Sequence, residues 1–181
     1  ARPCSSGGGY YLSPEVEAIY GSVSISDSVS RIVSCSLKAP IDAPLIILAH
    51  SGPTGLGSDP DSICGRDWKN PSIDWGDKDL AIAIGQISKK RIPDLVVFGH
   101  MHHKLKRNNK IRETFYEDSY GIRYLNSACV PRRVKDKNGE NIYYFSWIEF
   151  KDNKLVHVSH RWFRKDSKIS YQENLFQSKI F

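Results

Sequence analysis

A chain of 181 residues, 40% apolar and 25% charged, has the length and balance of one globular domain with a substantial core. Such a composition excludes a disordered chain, and no apolar run approaches the ~20 residues that a membrane-spanning helix needs, so no membrane role is expected. A net charge of +6 favours anionic partners over cationic ones.

Residues 1–13 read as a loop, in which Ser5-Ser6-Gly7-Gly8-Gly9 is too flexible for a core element. Those glycines are a weak candidate for a phosphate cradle, because neither a preceding strand nor a following Lys-Ser/Thr accompanies them. Pro14 to Tyr20 reads as a short helix capped by Ser13 and ended by Gly21. A second helix is expected from about Ser28 to Leu37, with Val29, Ile32, Val33 and Leu37 on one stripe.

Leu45 to Ala49 reads as a strand, and its unbroken apolar run predicts burial on both faces. The long stretch from Ser51 to Gly76 is rich in Gly, Pro, Asp and Ser, and Cys64, Trp68 and Trp75 mark it as a packed loop. Asp77 then caps a helix through about Lys90, with Leu80, Ile84 and Ile87 inward and Lys89-Lys90-Arg91 complementing its dipole. Leu95 to Phe98 is the next strand. A charged loop or exposed hairpin follows the histidines, then a strand at Gly121–Leu125. Tyr143 to Phe150 and Leu155 to Trp162, joined by Lys151-Asp152-Asn153-Lys154, form a hairpin. Residues 166–181 read as a polar tail.

The chemistry concentrates at two strand ends. Leu95-Val96-Val97-Phe98 runs directly into Gly99-His100-Met101-His102, so two imidazoles leave one tight turn. Leu45 to Ala49 ends in His50, followed by Ser51-Gly52-Pro53. Neutral imidazole is the commonest protein ligand for Zn, Mn and Fe, and a sheet edge fed by two such strands suits a metal site. His50, His100 and His102 are therefore the candidate ligands. His103 is expected to point elsewhere, toward a supporting or surface role, because successive side chains alternate. His157 and His160 show no ligand pattern. Cys4, Cys35, Cys64 and Cys129 are widely spaced and lack a Cys-x-x-Cys pair, which favours free thiols over disulfides or zinc.

These residues resemble the second half of the calcineurin-like metallophosphoesterase family. His50 is similar to that family's lone strand-end His, His100 and His102 to its Gly-His-x-His, and Asn126-Ser127 to the Asn-x-Gly-Ser strand end, with the Gly-Ser lost. The runs His50-Ser51-Gly52-Pro53-Thr54-Gly55-Leu56-Gly57, Cys64-Gly65-x-Asp67-Trp68 and Phe98-Gly99-His100-Met101-His102-His103 look like its cyanobacterial and plant-plastid branch. The resemblance covers most of residues 1–165. It implies the carboxyl-terminal half of a two-sheet α/β/β/α sandwich, and a soluble protein of the plastid stroma or cytoplasm. It also implies two divalent ions (Mn, Fe or Zn) acting on phosphate esters, with His50 and His100 on one metal and His102 on the other.

The family's Asp-x-His, Gly-Asp and Gly-Asn-His motifs precede the lone His, and nothing between Ala1 and Ala49 fits them. Gly76-Asp77 imitates the second but falls between His50 and His100. The chain begins Ala1-Arg2-Pro3 and its single Met is Met101, so it is expected to be the carboxyl-terminal part of a longer protein, a partial domain over 1–165. Alone it is expected to hold metal weakly and to turn over little substrate. One sheet edge and part of its face should be uncovered, with apolar groups exposed.

Ser51 and Thr54 either contact substrate or only shape the turn. Arg132 and Arg133 either clamp phosphate or are solvated charges. The clusters Lys104/Lys106/Arg107/Lys110/Arg112 and Arg132/Arg133/Lys135/Lys137 are either solvated loops or a steering field for an anion. A small phosphorylated substrate is the first expectation and nucleic acid the second, since neither cluster is interleaved with aromatics. The alternatives to a phosphoesterase are a nuclease on the same fold and a non-catalytic binding module.

Overall fold

The computed structural model describes residues 12–107 and 110–179, and the glycine-rich Ser5–Gly9 stretch and Cys4 lie outside them. The chain is mixed α/β with two sheets. It divides into two compact units, one ending at Ala128 and the other beginning at Cys129.

In the first unit α1 spans Pro14–Tyr20, with Ser13 accepting a hydrogen bond from the Val16 amide at 3.3 Å and the Gly21 amide closing on the Glu17 carbonyl. Helix α2, Ile25–Ser36, starts a turn earlier than the apolar stripe suggests. Ser24 and Asp27 form a reciprocal capping box there, which satisfies amides that the stripe does not reveal. Helix α3, Lys78–Ser88, begins after Asp77 as expected, although the Asp77 side chain makes no capping bond. Arg91, just past its end, donates to the carbonyls of Pro40 and Ala43, so the basic run ties down a turn as well as facing the helix terminus.

Strands β1 (Ile46–Leu48), β2 (Leu95–Phe98), β3 (Phe115–Glu117) and β4 (Arg123–Asn126) form one sheet in the order β1-β2-β4-β3, with β1, β2 and β4 parallel and β3 antiparallel to β4. One core joins Ile47, Val96, Phe98 and Tyr124 of the sheet to Val29 of α2 and Leu80, Ala83, Ile84 and Ile87 of α3. Of the stripe expected on α2, Ile32 and Val33 pack against this core but Leu37 is exposed.

The two-faced burial expected of β1 does not hold. Ile47 is buried, whereas Ile46 is 40% and Leu48 70% exposed. The helices cover only the Ile47 face, and among the described residues nothing pairs with the outer edge of β1. A continuous apolar run is therefore compatible with an edge strand whose second face is open, the kind of edge that invites further strand pairing.

The second unit is a four-stranded antiparallel sheet in sequence order: β5 (Arg133–Lys135), β6 (Asn141–Lys151), β7 (Lys154–Phe163) and β8 (Ile169–Gln177). The expected hairpin is β6–β7. The expected polar tail is instead largely β8. Its alternation is hidden because both faces of the strand carry polar residues and because register shifts at Val158/Ser159 and Trp162/Phe163 break the period-two pattern. Cys35, Cys64 and Cys129 are free thiols, and burial pushes the Cys64 thiol far above its ordinary value. Among the described residues no helix is long and apolar enough to cross a membrane.

Candidate metal centre

The parallel pairing of β1 with β2 decides where the histidines go. The register Leu48↔Val97 continues past both strands, with the Ala49 amide on the Val97 carbonyl at 2.9 Å and the Gly99 amide on the His50 carbonyl at 3.0 Å. Both chains therefore leave the sheet side by side, bringing His50 and His100 together just past the strand ends. The two rings meet with His50 Nε2 3.1 Å from His100 Nδ1 and centroids 4.9 Å apart. His100 adopts φ 66°, a left-handed conformation that turns the chain sharply after Gly99.

His102 lies on the same turn, and with His100 it lines a depression of about 270 Å³ whose other walls include Asp67, Trp68, Lys104 and Lys106. Burial, followed by the nearby His50 and His102, pulls the His100 imidazole below its ordinary value, which favours the neutral ring that ligates metals.

The turn is held from beneath. Asn126, fully buried at the end of β4, donates through Nδ2 to the Met101 carbonyl at 2.7 Å and accepts the Ala128 amide on Oδ1 at 3.0 Å. Met101 is itself buried and anchors the turn in the interior. His103 is buried, and its Nε2 bonds the Asn126 carbonyl at 2.9 Å. Burial lowers the His103 imidazole, the carbonyl bond works in the opposite direction, and the charges of Arg112 and His102 lower it further. Asn126 and His103 thus support the turn and do not belong to the depression.

The remaining candidates separate. Ser51 is buried directly after His50, and among the described residues its hydroxyl has no hydrogen-bond partner. Thr54 donates to Asp74 Oδ2 at 2.8 Å, and the same carboxylate accepts the Gly55 amide and, on its other oxygen, the Gly76 amide at 2.8 Å, so Thr54 shapes the loop. Gly76-Asp77 is likewise structural: a Cβ at Gly76 would lie 2.2 Å from the Pro53 carbonyl oxygen, and the Asp77 amide donates to the Gly52 carbonyl. Arg132 and Arg133 belong to the second unit. Arg133 is engaged there by Asn141 at 3.2 Å and by the Tyr143 ring, which argues against a free phosphate clamp.

Arg112 is the main residue that sequence reasoning placed wrongly. Grouped with a surface cluster, it is in fact 3% exposed. It donates to the carbonyls of His102 (3.1 Å), Pro60 (3.1 Å), Ser62 (2.7 Å) and Gly65 (2.5 Å) and to Asp67 Oδ1 (3.1 Å), fastening the long loop to the histidine turn. Nothing in a run of Lys and Arg distinguishes the one that folds inward. The only signal was Asp67, a lone acid in a motif-like run.

The two neutral imidazole nitrogens of His50 and His100, 3.1 Å apart, share a proton here, and the same pair would supply two nitrogen ligands to a divalent ion. Among the described residues no three His, Cys, Asp or Glu side chains are grouped to hold one. No family model matches the chain, and no curated protein matches it.

Proposed function

We propose that this chain carries the histidine side of a dinuclear metal centre in a phosphoesterase resembling the calcineurin-like family, its two sheets corresponding to those of that family's sandwich. The observation that carries the proposal is the 3.1 Å approach of His50 to His100 at the ends of adjacent parallel strands, with His102 on the same turn. His50 and His100 would hold one divalent ion and His102 would reach a second; such ions polarise phosphoryl oxygens and lower the pKa of bound water. The chain's own residues set the stage for this. Asn126 and Arg112 fix the turn, Lys104 and Lys106 bring positive charge to the wall of the depression, and Ser51 offers a buried hydroxyl beside His50. An anionic ester is the substrate class that these groups favour. The open edge of β1, with Ile46 and Leu48 exposed, supports a longer parent protein whose further strands bring the carboxylate ligands.

Cobalt(II) titration followed by visible absorbance tests the ligand set. Weak binding is expected, since stable catalytic sites take three or more protein ligands. Substituting His50→Ala and His100→Ala together should abolish it, whereas His157→Ala, whose ring is engaged by Asn174 at 3.1 Å in the second unit, should leave it unchanged. In a polypeptide that joins the Asp-x-His, Gly-Asp and Gly-Asn-His motifs to this chain, His100→Ala should cut metal-dependent hydrolysis of bis(p-nitrophenyl) phosphate by about 100-fold or more. Equal cobalt binding by the double variant would refute the proposal.

A further inference from the structure

The second unit contains 11 Lys and Arg against 6 Asp and Glu and so carries +5 of the chain's +6, while the first 128 residues, with 15 against 14, are nearly neutral. Its sheet is two-faced. Ile142, Tyr144, Val158 and His160 are buried on one face. The cross-strand pairs Arg133↔Tyr143, Phe145↔Arg161 and Glu149↔His157 lie on the other, where Phe145 is 55% and Trp147 42% exposed. Solvent-facing aromatics of that size at alternate positions of a central strand are costly to leave wet unless they have a partner.

Cations interleave with these rings. The Arg161 guanidinium lies 4.7 Å from the Trp147 centroid and that of Arg133 5.9 Å from the Tyr143 centroid. Phe163 stands between Phe145 and Trp147, with centroids 5.8 and 6.0 Å away. Polar groups complete the face: His157 to Asn174 at 3.1 Å, and the Gln172 amide to the same Asn174 oxygen at 2.5 Å. Glu149, an acid on this face, is engaged by Arg161 (3.1 Å) and by the Trp147 indole N–H (2.5 Å), so its charge is offset within the face.

We propose that this open face of β6–β8 with the β5 edge binds single-stranded nucleic acid, the rings Tyr143, Phe145 and Trp147 stacking on bases and the net positive charge of the second unit attracting the phosphates. Alternate residues of a strand stand about 6.8 Å apart. That is roughly twice the 3.4 Å advance per nucleotide of a stacked strand, so bases on successive rungs must be splayed from one another, as in a single strand and not a duplex. Charge favours nucleic acid over a neutral oligosaccharide, which also stacks on aromatics but gains nothing from a unit of net charge +5. The platform lies wholly within the second unit and does not rest on the metal proposal.

Fluorescence anisotropy of fluorescein-labelled oligothymidylate with the full chain, in EDTA and low salt, tests it. Binding that weakens with salt and exceeds that for the matched duplex is expected. Phe145→Ala and Trp147→Ala should each weaken it by about fivefold or more. Phe145→Leu, which keeps apolar bulk but no π-face, should lose as much as the alanine variant. His100→Ala should bind like the parent, and circular dichroism melts confirm that each variant is folded. Failure to bind, equal binding of the duplex or heparin, or full affinity in Phe145→Leu would overturn the proposal. So would a dimer, seen by sedimentation, that Trp147→Ala dissolves, since the face would then belong to a second copy.

Discussion

Removing the Arg112 guanidinium should be among the most damaging single changes in the first unit. Five acceptors converge on it: Asp67 and the carbonyls of His102, Pro60, Ser62 and Gly65. Breaking a buried ion pair by deleting one partner costs about 3–5 kcal/mol, because the other charge stays buried. Asp67 is relieved in part by the Lys106 amide, and the Ser62 carbonyl still accepts the Gly65 amide, so the whole cost of five orphaned acceptors does not accrue. About 4 kcal/mol is expected for Arg112→Ala, much of the 5–15 kcal/mol that typically holds a domain together. With a urea dependence of about 2 kcal/mol per molar, the midpoint should fall by about 2 M.

Hydrogen exchange of peptides from residues 95–126, read along the urea series, confines the measurement to the first unit. Arg112→Lys keeps the charge beside Asp67 but offers three donors for five acceptors, so it should recover only part of the loss. Asp67→Asn should cost less than Arg112→Ala, because the carbonyls keep their donor. A loss below about 1 kcal/mol for Arg112→Ala, the range of an exposed pair, would refute the reasoning.

Two further outcomes follow from buried polar contacts. Ser28→Ala removes the 2.6 Å hydrogen bond to Asp79 that joins α2 to α3 in the interior, and should lower stability by about 1–3 kcal/mol in the same assay. The His103 imidazole is held below its ordinary value mainly by burial, so protonation favours the unfolded chain. Its contribution is complete above the unfolded value near 6.5 and declines as pH falls through the lowered folded value. Stability of the first unit should therefore drop on acidification below about pH 6.5, and His103→Gln should flatten that slope; an unchanged slope would exclude His103 as its source.

Much of this architecture is legible in the residues themselves. Ser13-Pro14 and Gly21 bound α1, Leu80, Ile84 and Ile87 mark the inward face of α3, and the apolar run into Gly99 marks β2, because each signal is local and each is satisfied locally. The meeting of His50 with His100 was readable as two strand ends, but its closeness depends on a parallel register that no local pattern encodes. The three-residue strands β3 and β5 escaped because they are too short to show a period and lie amid charge. β8 escaped because both its faces carry polar residues. Arg112 and the two-faced character of β1 escaped for a common reason. Burial of a given side chain is decided by what lies across from it, and a sequence window contains only what lies beside it.

The left-handed backbone at His100 carries a consequence of its own. For a residue with a Cβ that conformation costs about 1–2 kcal/mol, which glycine would avoid. The turn thus gives up stability at the very residue that presents the imidazole. A search for more robust variants of this protein, selecting only for heat resistance, should favour His100→Gly and in doing so discard the ring that faces His50. Thermal tolerance and metal capture would then move in opposite directions through one residue, and a chain that keeps histidine at that position gives up rigidity to retain the ring.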